Sequence, residues 1–448
     1  MRKMIGWLMI LVMILLSGCG AEGAPRESTA GHTAKDEPRE TAETPSQPEQ
    51  QEGQWAVKLK TVKPERIGSV LTADSFDARL LAYLSAHTES SYMASPLSFR
   101  YALGLLLAGA EGETRTELLK ALGVESEAEW RNSCELFNGF TEWFAEDLQR
   151  DKERFLQDQQ HGYLPRDAEA PFRALRVANS VWKREDIRAD FTENYRAVIE
   201  GSYGAEYRYF TAADAVSRIN DWAKVKTEGL IDQLLPEGYN AESLALVLMN
   251  ALYFKDSWTE SFPKELTKEA DFRGKNGTVR KEFMHKTDML SYYEDENSRM
   301  VLLPMEGGIT MAVVIGDAQD LPAMTAKAAR RRVELALPKI DLETSFDQKE
   351  LVDFLKESGV SLAFTGNADF SGMIDYPVFV DDIIQKTRIK LDEEGVEAAA
   401  VTAIMMAESA YEIPTEPVRF TADEPFSFFI YTEAGDFPAI LFAGEIRE

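Results

Sequence analysis

The chain is 448 residues long and 44% hydrophobic, enough for a large core, and its 49 lysines and arginines against 76 aspartates and glutamates give a formal net charge of −27. So acidic a surface repels nucleic acid and bare anionic membranes, which excludes both as partners recognised through charge. Two cysteines, Cys19 and Cys134, are too few for a disulfide framework and have no zinc-ligand spacing, so no metal or other cofactor is implied.

Arg2 and Lys3 precede an apolar run from Met4 to Leu16, short for a membrane-spanning helix and followed by small residues, which predicts a secretory signal. Leu16-Ser17-Gly18-Cys19 resembles the lipobox of bacterial lipoproteins, in contrast to an ordinary signal peptide or an uncleaved anchor. That resemblance implies a signal over 1–18, a lipid on Cys19, and a mature chain held at the extracellular face of a bacterial cell membrane. From Gly20 to about Lys63 the chain is rich in Glu, Thr, Pro, Gln and Ser, with almost no large apolar residue before Trp55, and cannot bury enough surface to offset its chain entropy. Residues 19–66 are therefore expected to be a disordered acidic tether, and 67–448 the folded domain.

Folded structure is expected from near Thr72, where Phe76, Leu80, Leu81 and Leu84 fall at helical spacing. Ser95 then caps a second helix with Pro96 in its first turn and Phe99, Leu103, Leu106 and Leu107 on its buried face, stopped by Gly109 and Gly112. Thr114 and Glu117 have the spacing of a capping box ahead of a third helix ending at Gly123. Cys134 reads as a small buried residue, and 141–170, charged and without a clear apolar period, as an exposed helix and a loop. Leu244 to Lys255, LALVLMNALYFK, predicts a strand covered on both faces, with Asn250 held in a satisfied hydrogen-bond network. Two further strands meet at a turn of Gly307 and Gly308, and Val333, Leu335 and Leu337 alternate as a half-buried strand.

The stretch from Asp392 to Phe420 sets three acids and a glycine before a run of small residues, with no proline between Gly395 and Ile413. As a strand it would place Val396, Ala398, Ala400, Thr402, Ile404 and Met406 on one face. Alanine is a poor strand former, so the alternatives are a solvated alanine-rich loop and a strand whose small side chains let it slide between strands already packed.

Glu393, Glu394, Gly395, Val396, Glu397, Ala398, Ala399, Ala400, Val401 and Thr402 together resemble the reactive-loop hinge of serpins, with Val396 standing where that family usually has threonine. The run SPLSFRYALGLLLAGAEGETRTELLKALG resembles their early helices, and VANSVWKRED, INDWAKVKTEGLIDQLLP, FLKESGVSLAFTGNADFSGM and the C-terminal strand sequence follow in family order from Thr72 to the end. The resemblance implies an α+β fold of three sheets and about eight to nine helices, monomeric, with an exposed reactive loop at about 393–418. It assigns Ser95, Ser98 and Asn250 to the shutter beneath the opening of the central sheet and Trp258 to its top, with Gln385 in the place of the family's histidine. Glutamine can donate and accept hydrogen bonds but cannot titrate near neutrality.

Serpins are suicide inhibitors of serine, and in some cases cysteine, endopeptidases, trapping the enzyme by inserting the cut loop into the sheet. Family spacing places the scissile bond about fourteen residues after Gly395, between Ser409 and Ala410, so that insertion at about 3.3 Å per residue would carry the enzyme about 46 Å. A small residue before the bond implies an elastase-like or subtilisin-like target. Cleavage between Tyr411 and Glu412 is the alternative and implies a chymotrypsin-like one. A non-inhibitory binding protein of the same fold is the other class, but such relatives tend to have bulky or charged hinges. An enzyme is a poor reading: His32, His87, His161 and His285 have no metal-ligand spacing, and no nucleophile elbow or phosphate loop is present. The acid clusters at 381–382 and 392–394 read as solvated turns.

Overall fold

The computed structural model describes residues 75–448 apart from 167, 169, 243, 319, 347, 381, 382, 384, 397–415 and 433–438, and its first helices start where the sequence supplies caps. Ser75 accepts from the Ala78 N–H at 3.2 Å and opens α1 (Phe76–His87), which buries Phe76, Leu80 and Leu84. A short strand, β1 (Tyr92–Ala94), leads to Ser95, whose hydroxyl caps α2 (Pro96–Leu107). Ten of the twelve residues of α2 are buried, so this helix runs through the interior, packed on strands of both sheets. α3 (Gly112–Leu122) ends at Gly123 in the left-handed conformation, φ 70°.

Thr114 and Glu117 do not form the expected capping box. The helix begins at Gly112, and both side chains serve a distant loop: Thr114 Oγ1 accepts from the Asp369 N–H at 3.0 Å, and the Glu117 carboxylate from Ser361 and Leu362 N–H groups at 2.7 and 2.8 Å. Backbone donors in that loop need partners as much as a helix end does, and tertiary demand wins. α4 (Glu127–His161) is 35 residues long. Its buried face of Trp130, Cys134, Phe137, Phe140 and Phe144 lies in the first half, which is why 141–170 shows no apolar period of its own.

The remaining elements are β2 (Ala174–Arg184), α5 (Glu193–Tyr203), β3 (Ala205–Phe210), α6 (Ala215–Lys226), β4 (Leu246–Ser257), β5 (Lys268–Gly274), β6 (Gly277–Glu294), β7 (Ser298–Pro304), β8 (Ile309–Gly316), α7 (Leu321–Lys327), β9 (Ala329–Pro338), β10 (Ile340–Phe346), α8 (Gln348–Glu357), β11 (Gln385–Leu391), β12 (Gly395–Val396), β13 (Val418–Thr421), β14 (Phe426–Thr432) and β15 (Ala439–Ile446). A six-stranded sheet has the order β10-β11-β12-β4-β2-β3. The second runs β1-β15-β14-β8-β7-β6-β9-β13, with β5 paired to β6. The 18-residue β6 meets β5, β9 and β7 at successive points along its length, and so joins by hydrogen bonding strands that the resemblance divides between two sheets. The mixed α+β architecture is the one expected.

Candidate functional site

Between β4 and β11 stands a strand of two residues. Leu391 of β11 pairs with Val396, and Gly395 and Val396 pair with Ser257 and Asp256 of β4, all antiparallel. Among the described residues β4 and β11 share no ladder with each other; β12 is their common neighbour. Gly395 is required there: its φ is +153°, and a Cβ would lie 2.2 Å from the Asp256 carbonyl oxygen. Val396 is 2% exposed and joins the main core.

The chain enters this slot from a turn clamped on several sides. The Asp392 N–H donates to the Gly395 carbonyl at 3.0 Å, and the Asp392 carboxylate accepts from the Glu394 N–H at 2.9 Å. Trp258, 3% exposed at the end of β4, donates its indole N–H to the Asp392 carbonyl at 3.0 Å and its backbone N–H to the Glu394 carbonyl at 2.9 Å. The Phe262 N–H reaches the Glu393 carbonyl at 2.8 Å. The Glu393 carboxylate meets the Thr267 hydroxyl at 2.7 Å and the Lys339 ammonium at 3.0 Å, and Glu394 is ion-paired with Lys264.

The acids of 392–394 are therefore no solvated turn: Glu393 and Glu394 are buried, and each has a lysine brought to it by another part of the fold. Burial pushes the Glu393 carboxyl up, but the Thr267 hydroxyl and Lys339 outweigh it and hold the group below the usual carboxylate range. Among the described residues Asp392 makes no ion pair, and burial raises its carboxyl. The cluster at 381–382 lies outside the described residues.

Beneath the hinge, Asp256 is fully buried. Its two oxygens accept from the Ser257 N–H at 2.9 Å and from the Gly307 N–H, in the β7–β8 turn, at 3.0 Å. Burial pushes its carboxyl up to about 7, against the pull of Arg173 and with a further push from Glu306.

Lower in the sheet, the first turn of α2 reaches both edges of the slot. Ser98 Oγ donates to Asn250 Oδ1 on β4, and Asn250 Nδ2 donates to Asn179 Oδ1 on β2, directly opposite. Asn179 in turn donates to the Tyr203 carbonyl at 2.8 Å. On the other edge, Gln385 of β11 accepts from the Ser95 N–H and donates to the Ser95 carbonyl, both at 3.0 Å, while Ser95 Oγ accepts from the Ser98 N–H at 3.2 Å. Gln385 thus spends its amide on Ser95 and is not bonded to Asn250, which is half-buried. Asn179, Lys264, Lys339 and Asp256 were not singled out by the sequence. Asn179 carried the one available signal, an asparagine within a strand-like run. Glu397, Ala398, Ala399, Ala400, Val401 and Thr402, the bonds at Ser409–Ala410 and Tyr411–Glu412, and Cys19 lie outside the described residues.

The chain is 32% identical over 416 residues to rice (Oryza sativa subsp. japonica) Serpin-ZXA, covering 84% of this chain and 96% of that protein. To the leukocyte elastase inhibitor of Bos taurus it is 31% identical over 400 residues, covering 83% and 97%. Among solved structures, Serpin48 of the insect Tenebrio molitor superposes with a TM-score of 0.64 at 24% identity, over 84% of this chain and 96% of that one, a likeness of fold. A family model described as Serpin (serine protease inhibitor) matches residues 72–448, and by that match, over the same stretch that builds the slot and its hinge, the chain belongs to the serpin family.

Proposed function

We propose that this chain is a suicide inhibitor of serine endopeptidases, with cysteine endopeptidases as a second class, which traps its target by drawing the cut loop between β4 and β11. The observation that carries this reading is β12. It has begun a strand in that position, in register with both neighbours. Each further step along the loop is one step back along β4 and β11, so in the inserted state Ala400 would come level with Leu252 and Thr387, and Thr402 with Asn250 and Gln385, the residues latched by α2. Ala398, Ala400 and Thr402 would share the face of Val396, which is buried, and their small size suits entry between packed strands. The bovine relative's name, an elastase inhibitor, supports an elastase-like target, while Ser409–Ala410 as the reactive bond and a subtilisin-like target rest on family spacing and on the small residue before the bond. A chymotrypsin-like enzyme cutting between Tyr411 and Glu412 is the second choice. Residues 1–18 are read as signal, Cys19 as the lipid site and 19–66 as the tether of a monomeric domain at the outer face of a bacterial membrane.

Ala400→Asp tests the mechanism. An unpaired carboxylate on the inward face costs several kcal/mol to bury, enough to slow insertion by orders of magnitude while leaving the bond cleavable. Wild type should form a denaturant-stable covalent complex with elastase or subtilisin, and its cleaved form should melt well above the intact protein. The variant should be cut at the same bond, release active enzyme and gain much less stability. Trapping by Ala400→Asp at wild-type stoichiometry would show that insertion is not the mechanism.

One observation favours a second reading, a non-inhibitory binding protein: a cleft of about 580 Å³ between α1 and strands β14 and β15, walled by Leu81, Ala82, Phe429 and Ala443. Its polar floor is already committed, with Glu445 accepting from Ser85 at 2.5 Å and Tyr92 at 3.1 Å, which leaves few groups to orient a ligand and ranks this reading second.

A further inference from the structure

β13, where the chain re-enters the sheet after the 397–415 stretch, runs parallel to β9, with Val418 paired to Val333 and Arg419 to Glu334. Counted back in that register, Pro417 and Glu416 come level with Arg332 and Arg331, and both are exposed. The start of β9 is therefore beside the C-terminal root of the reactive loop, and it carries three consecutive arginines, Arg330, Arg331 and Arg332, all exposed.

Acids outnumber bases by 76 to 49, so an exposed guanidinium has carboxylates in abundance to pair with, as Arg419 does with Glu334 at 3.1 Å and Arg273 with Asp423 at 3.0 Å. Among the described residues none of the three guanidinium groups makes an ion pair or a hydrogen bond. Opposite them on β6 stand Ser291, Leu290 and Met289, none of which is charged. Glu416, level with Arg331, is not paired with it. Arg330 and Arg332 share one face of β9 and Arg331 takes the other, so that three guanidinium groups with no carboxylate bonded to them put positive charge on both faces of the strand's start, on a strongly negative molecule. Each presents a planar fork of donors fitted to carboxylates.

We infer that Arg330, Arg331 and Arg332 form a docking edge that engages an acidic patch on the target protease beside its active site. This rests on the inhibitor reading above. An enzyme seated on the loop lies over its root, so an acidic patch on that side meets the arginines before and during attack, while the net charge of −27 repels acidic enzymes elsewhere. The edge would speed encounter and select among proteases of the same primary specificity. It takes no part in insertion.

The test uses full-length protein and two elastase-like or subtilisin-like proteases, one acidic and one basic on the face that borders the active site. Rates of covalent complex formation are measured for wild type, for R330E/R331E/R332E and for the triple glutamine variant, which controls for folding, at about 20 and about 300 mM salt. Reversing the charges should slow trapping of the acidic enzyme about tenfold at low salt and far less at high salt, with unchanged stoichiometry and no slowing for the basic enzyme. Glutamine should lie between. Equal rates for wild type and the glutamate variant with the acidic enzyme would overturn the docking edge, as would equal slowing with both enzymes. If wild type traps neither enzyme, the inhibitor reading itself fails, an outcome distinct from trapping that ignores the arginines.

Discussion

At Gly395 one added methyl group would collide with fixed backbone. A Cβ there would sit 2.2 Å from the Asp256 carbonyl oxygen and 2.7 Å from the Ser257 Cα, both backbone atoms held in a paired strand, and φ is +153°. Overpacking and backbone strain together cost about 1–3 kcal/mol or more, which a two-residue strand cannot offset. Gly395→Ala should release β12 from the sheet, lowering the melting temperature of the intact protein by several degrees and exposing the Val396 amide to hydrogen exchange. Unchanged melting and protection would show that β12 is not seated as described. The glycine was legible in the sequence as part of a family motif, but the reason for it was not, because the atoms it must clear belong to residues 256 and 257. The same limit hid Asn179, which matters only because Asn250 faces it across the β2–β4 ladder. Runs such as Phe76–Leu84 and the Ser95 cap were legible because their partners lie within a turn or two of helix.

At the level of elements, Asp256 is the joint between β4 and the β7–β8 turn. Its carboxyl is pushed up from 3.8 to about 7, so between those values the folded chain keeps a proton that the unfolded chain has released. Stability from this group is therefore present at low pH, falls by up to about 1.4 kcal/mol per pH unit as pH rises through that window, and is lost above about 7. Asp256→Asn should flatten the decline between pH 5 and 7 in denaturant titrations at fixed salt, although it gives up one of the two accepted bonds. A slope equal to that of wild type would mean that another group is responsible. Elements with a strong apolar period of their own, such as β9 and α1, or an almost continuous apolar run, such as β4, were readable in advance. α4 was only half readable: its exposed half carries no apolar stripe, and its order depends on pairs such as Arg173 with Asp151 at 2.8 Å, formed with a residue 22 positions away. The acids of 392–394 defeat a reading from sequence for the same reason, since Lys264 and Lys339 reach them from distant segments.

For the whole molecule, the formal charge of −27 argues against attraction to an anionic bilayer, so attachment would depend on lipid at Cys19. One acyl chain binds a bilayer marginally and two hold firmly, and Cys19→Ala should therefore move the protein from the membrane fraction to the medium and abolish lipid labelling. Retention of the variant would remove the anchor from the proposal. The clamp on residues 392–396 has a consequence for how the segment beyond it can vary in length. With Trp258, Lys264, Thr267 and Lys339 fixing the start, the proposed insertion would assign every later residue to a face by whether its distance from Val396 is odd or even. Inserting one residue just after Val396 would exchange the two faces throughout and turn the carboxylate of Glu397 into the core. Inserting two would keep every side chain on its own face and merely lengthen the travel. Under that mechanism the hinge would be a code read in pairs, and its tolerance to insertions and deletions should alternate accordingly.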